Sequence, residues 1–144
     1  MSTATSTEIN KDAVRRYFAA MDRQDFAGVA EELTPDYRLH VCGNPETLDV
    51  QGMQGFAMGF FSALADIQHC IESLVAEDAQ VATRLTITGR HVGELMGVPA
   101  TGKTLVLPAL NMYRMESGRI AEQWVQFDSM GVLAQLGALP QSAS

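Results

Sequence analysis

Asp128 has the setting that most invites chemistry, because it closes the strand-like run Arg119 to Phe127 and directly precedes a short helical pattern from Ser129. A carboxylate among apolar neighbours is raised in pKa toward the range where it can take and return a proton near neutrality. The same position also suits a helix N-cap, in which the Asp side chain accepts from the first turn. Alternation along the strand puts Ile120, Glu122, Trp124, Gln126 and Asp128 on one face, and Ala121, Gln123, Val125 and Phe127 on the other. Trp124 therefore shares the face of Asp128, as a ligand wall or simply as core. Arg84 sits mid-strand among apolar residues, where a guanidinium is costly unless paired, and Glu122 or Asp128 are candidate partners. Asn111 and Tyr113 alternate with Met115 and would add polar contacts.

His40, His69 and His91 also fall in strand-like runs. A neutral imidazole can hydrogen-bond a carbonyl or a developing enolate oxygen, or serve as a satisfied structural group. His69, with no motif around it, reads as structural. The histidines lack zinc-site spacing, as do Cys42 and Cys70, which read as buried, reduced thiols, so no metal is expected. Gly102-Lys103-Thr104 lacks the upstream glycines of a phosphate loop, and no dinucleotide fingerprint or nucleophile elbow is present. No cofactor is expected.

These residues must be positioned by helices that come first and strands that follow. Ala13, Val14, Tyr17, Phe18 and Met21 form one face of a helix from Glu8 to Met21, and a second helix spans Asp25 to Leu33, ended by Pro35. Tyr37 to Val41 reads as a strand and Met53 to Leu64 as a third helix, Phe60 included, buried on most sides. Ile67 to Glu77 and Gln80 to Arg90 form a hairpin across Asp78-Ala79; a loop follows from Val92 to Lys103. Thr104 to Met115 carries Pro108, which needs an edge or a bulge, and Glu116-Ser117-Gly118 turns into the strand that ends at Asp128. The order predicts α+β, with helices on one side of a curved antiparallel sheet. The abundant Met and Phe suit an adaptable apolar pocket, or equally a core.

With 144 residues the chain fits one domain, taken as residues 8–140 between a disordered lead, 1–7, and a tail, 141–144. A net charge of −7 and pI near 4.8, without a basic cluster, argue against nucleic acid and anionic membrane as partners. No run approaches a membrane span and MSTATST has no apolar signal-type segment, so a cytoplasmic protein with a small-molecule ligand is expected.

Arg114 to Trp124, followed by Asp128 and Ala134-Gln135-Leu136-Gly137, resembles the C-terminal signature of the SnoaL-like polyketide cyclases. Gly89-Arg90-His91-Val92-Gly93, then Gly97-Val98-Pro99-Ala100-Thr101-Gly102-Lys103, resembles a second family segment, and Tyr37 to His40 followed by Gly55 a third. The likeness runs from about Val14 to Pro140; Ala100 departs from it, standing where the family usually has a second proline. It implies the cone-shaped fold of the nuclear transport factor and ketosteroid isomerase superfamily, enclosing one pocket. It also implies cofactor-free aldol-type ring closure of a polyketide-like carbonyl compound, with Asp128 as acid/base and His91 and His40 beside it. Trp124, Arg84, Asn111, Tyr113 and Phe60 would line the site, in a homodimer or larger assembly. Isomerisation, epoxide opening and plain binding of an apolar ligand are alternatives that the same fold would serve.

Overall fold

Thr5 caps the first helix: its Oγ1 accepts from the Glu8 amide at 3.2 Å, and α1 runs Ser6–Asp22. Ser6 and Thr7 therefore belong to the helix, not to a lead. Residues 1–4 of the expected lead, together with Pro140 and the expected tail, lie outside residues 5–139 described by this computed structural model. The α1 face made by Ala13, Val14, Tyr17, Phe18 and Met21 is buried as its spacing predicts. Helix α2, Phe26–Glu31, is capped by Asp25, which accepts from Gly28 at 3.0 Å.

The second helix stops short of Leu33, because β1 occupies Leu33–Val41 and takes in Pro35. A proline is tolerated there since β1 is an edge strand whose register shifts between Leu33 and Arg38. Asp49 then caps α3, Val50–Ala63, accepting from Gly52 at 2.8 Å. Strands β2 (Leu64–Glu77), β3 (Gln80–His91), β4 (Thr104–Glu116) and β5 (Arg119–Phe127) follow, and α4 (Ser129–Gln135) ends the series.

The sheet has five strands in the order β1-β5-β4-β3-β2 and is not closed. Its β1–β5 pair is parallel and the others antiparallel, so the late strand β5 lies between early β1 and β4. The β4–β5 turn is Ser117-Gly118, with φ of 51° and 77°, the two left-handed residues that a type I′ hairpin needs. Pro108 needs no bulge: it pairs with Thr86 in an unbroken β3–β4 register. Two residues earlier, the backbone of Val106 turns away from β3 and bonds the Gln135 side chain, at 2.9 Å through N–H and 2.7 Å through C=O. By alternation the Pro108 nitrogen faces that same side, beyond the Ala109–Phe127 pair where β5 ends, so β4 is locally an edge.

Helix α3 is not buried on most sides. Met53 and Ala63 are its fully buried residues, while Phe56, Phe60 and Phe61 are half-buried because they roof a cavity. The thiols also differ from expectation: both are free, Cys42 is half-buried and Cys70 exposed. No helix among the described residues is long and apolar enough to cross a membrane.

Candidate active site

Between α1, α3 and the concave face of the sheet lies a cavity with about 760 Å³ of empty space, part of it open to solvent. Each element contributes its inward set: Phe18 and Met21 from α1, Phe56 and Phe60 from α3, Leu85 and Ile87 from β3, Val125 and Phe127 from β5. Among the described residues no Lys, Arg, Asp or Glu lines it, and its polar atoms come from Tyr17, His69, Asn111 and Gln123. Such a lining favours a largely apolar ligand held in orientation by a few hydrogen bonds.

The polar groups are organised by tyrosines. Tyr37, fully buried, donates its hydroxyl to Gln123 Oε1 at 2.5 Å. Asn111 Nδ2 donates to the Tyr113 hydroxyl at 3.2 Å, and Thr83 Oγ1 lies 3.2 Å from the same oxygen. Burial pushes Tyr17 up to about 12, partly opposed by its bonds with Gln123 and Tyr37. Burial likewise raises Tyr37 and Tyr113 well above the ordinary tyrosine value. Asn111 Oδ1 is buried without a partner. Since the two ends of an amide exchange by a half-turn, one end of Asn111 holds Tyr113 and the other is buried without a partner among the described residues.

His69, read as structural from sequence, is a cavity residue. Strand β2 slips register between Ala65 and Gln68, with Asp66 at φ 58°. An unbroken alternation from buried Leu64 would send Gln68 and Cys70 inward; the extra residue instead turns Ile67 and His69 to the cavity and leaves Gln68 and Cys70 exposed. Asp22, the last residue of α1, accepts from the His69 backbone amide at 3.1 and 3.2 Å and lies 2.6 Å from Nδ1. A carboxylate only accepts, so Nδ1 carries a proton, and in the neutral ring the lone pair is on Nε2. Phe18 packs against the ring with centroids 5.1 Å apart.

Of the residues singled out from sequence, Asn111 and Phe60 line the cavity, and buried Tyr113 lies behind Asn111. Others need correction. Trp124 is on the outer face of the sheet, because the inward set of β5 is the one holding Gln123, Val125 and Phe127. It stacks there on His40, with centroids 5.0 Å apart and planes at 5°. His40 Nε2 is 2.6 Å from Glu122, which also accepts from Arg114 at 3.1 Å. The His40 bond, then that from Arg114, holds the Glu122 carboxyl below the usual range. Arg84 is exposed on the same outer face opposite Leu110, and neither expected ion pair forms.

His91 is fully buried but does not line the cavity. Thr101 donates its amide to Nδ1 at 3.1 Å and its hydroxyl lies 2.9 Å from the same nitrogen, so the ring proton sits on Nε2, which has no partner. Its visible work is to fasten the loop 92–103, assisted by Gly93, where a Cβ would meet the Ser62 carbonyl at 2.6 Å. Asp128 is exposed, lies outside the cavity and caps α4, with Oδ1 accepting from Gly131 at 2.9 Å. The neighbouring Phe127 is the last inward residue of β5.

A five-stranded mixed sheet folded over helices to enclose one apolar pocket is the cone-shaped α+β architecture of the nuclear transport factor class. The family model "SnoaL-like polyketide cyclase" matches residues 11–136, and the chain belongs to that family. It is 31% identical over 140 residues to the aklanonic acid methyl ester cyclase DnrD of Streptomyces peucetius, covering 92% of each chain. With the nogalonic acid methyl ester cyclase of Streptomyces nogalater it shares 31% over 116 residues, 76% of this chain and 83% of that one. The solved structure of AclR, a proposed hydroxylase from Streptomyces galilaeus, superposes with a TM-score of 0.84 at 30% identity, covering 94% of this chain and all 100% of the other. The fold and family expected from the sequence motifs both hold.

Proposed function

We propose that this protein closes a ring in a polyketide-like ester by intramolecular aldol-type attack inside the cone, without a cofactor. The observation that carries this reading is the cavity itself: apolar walls that suit a folded polycarbonyl chain, interrupted by His69, Asn111 and Gln123. Holding a flexible chain in a reactive fold removes orientational entropy, worth about 7–11 kcal/mol of barrier in the best cases. Buried amide and hydroxyl groups then register the carbonyl oxygens, and exclusion of water strengthens those bonds. Membership of a cyclase family supports the same chemistry, and relatives are named for aklanonic and nogalonic acid methyl esters.

Incubation with aklanonic acid methyl ester and nogalonic acid methyl ester is the test, read by chromatography and mass spectrometry. Ring closure yields a product isomeric with its substrate, unaffected by prior dialysis against a chelator. Failure to convert or bind either ester would remove the reading. Assembly belongs to the same proposal: Val106, Leu110 and Met112, exposed by 49%, 61% and 44%, give the outer sheet face an apolar stripe suited to a second copy of the chain. Light scattering at the mass of a monomer, even at high concentration, would exclude that pairing. The setting proposed for the reaction is the cytoplasm.

A further inference from the structure

We propose that His69 and Asp22 form the proton-transfer centre of the cavity, with His69 Nε2 as general base toward an acidic carbon of the ligand and Asp22 as its positioning residue. The role assigned rests on the cyclase reading above, but the geometry is independent of it. Asp22 holds His69 twice, its main chain through the backbone amide at 3.1 Å and its ring through Nδ1 at 2.6 Å. This orients the imidazole, sets its tautomer, and stabilises the imidazolium formed when Nε2 takes a proton. Nε2 has no bond partner among the described residues, and His69 lines the cavity. The alternatives inside are weaker: the amides of Asn111 and Gln123 do not exchange protons as bases near neutrality, and burial keeps the Tyr17 phenol protonated. Asp128, exposed and engaged as a cap, has no access to a ligand within the cone.

The step balances without a co-reactant. The Nε2 lone pair takes a proton from the carbon between two carbonyls, and the C–H electron pair becomes the enolate. The enolate carbon attacks a second carbonyl of the same molecule, forming one C–C bond while the C=O π pair becomes an alkoxide. The alkoxide recovers the proton from Nε2, and the imidazole ends as it began. Asn111, turned with its Nδ2 free and its Oδ1 accepting from Tyr113, is the donor available to the enolate oxygen.

The decisive measurement omits ring closure: exchange of the acidic hydrogens of ethyl benzoylacetate with deuterated water, followed by NMR. The parent protein should accelerate exchange saturably, and His69→Gln should lower the saturated rate by roughly 10²-fold or more with affinity and melting temperature nearly unchanged. Asp22→Asn still accepts from the backbone amide but can donate to Nδ1, which moves the ring proton to Nε2. It should therefore lower kcat by roughly 10²-fold and leave KM alone, whereas a purely structural Asp22 would raise KM and lower the melting temperature instead. Should His69→Gln not fold, alkylation of the parent protein by 2-bromo-1-(2-naphthyl)ethanone replaces it, with an adduct on His69 and loss of exchange expected. Exchange no faster than with free imidazole at equal concentration, a His69→Gln rate equal to the parent's, or exchange that survives alkylation of His69 would overturn the dyad. If neither methyl ester is cyclised while exchange depends on His69, the dyad stands and the cyclase reading alone falls.

Discussion

Replacing Asp128 by Ala and by Asn separates its two sequence-level readings. The carboxylate accepts from Gly131 at 2.9 Å and opens α4, a helix of 7 residues. A helix this short has little stability of its own and depends on its cap and on the burial of Val132 and, just beyond its end, Leu136. Losing an N-cap to Ala costs about 1 kcal/mol, whereas Asn caps about as well as Asp. Unfolding entropy near 2.1 cal/mol/K per residue gives about 300 cal/mol/K for 144 residues, so about 1 kcal/mol lowers the melting temperature by about 3 °C. Asp128→Ala should show that shift by calorimetry, and Asp128→Asn a shift under about 1 °C. Because the side chain is outside the cavity, Asp128→Asn should turn over a verified substrate at nearly the parent rate. A fall of roughly 10²-fold with an unchanged melting temperature would refute the reasoning and restore Asp128 as the acid/base.

Alkali should unfold the protein through its buried tyrosines. Tyr17 is raised from 10.0 to about 12, so its stabilisation is complete below about pH 10 and disappears as pH rises through about 12, a loss on the order of 3 kcal/mol. Tyr37 and Tyr113 act in the same direction. Urea midpoints between pH 9 and 12 should fall, and fall less for Tyr17→Phe; a flat profile would contradict this. Trp124, the single tryptophan, should keep its emission when an apolar ketone fills the cavity and change it in His40→Ala, because its ring stacks on His40 outside. Saturable quenching by such a ligand, with His40→Ala silent, would put Trp124 back on the pocket wall.

Much of the architecture is local and therefore readable along the chain. The spacing of Val14, Phe18 and Met21 marks the buried face of α1, Ser117-Gly118 permits the left-handed turn between β4 and β5, and the motifs around His91 and Trp124 identify the family. Alternation also divides β5 correctly from Glu122 to Phe127, but Ile120, expected beside Trp124, is buried in the core because the β4–β5 register shifts between Arg114 and Met115. Which set faces the cavity is another matter, since a period of 2 defines two faces and ranks neither. Burial had to decide for Gln123, Val125 and Phe127 over Trp124 and Asp128. The same holds more strongly for His69. One inserted residue near Asp66 reverses the side of β2 on which it stands, and the carboxylate that holds it lies 47 residues away at the end of α1. The reversal is set in the β2–β3 ladder and the pairing where α1 packs across β2, long-range contacts that propensity and spacing along the chain do not encode.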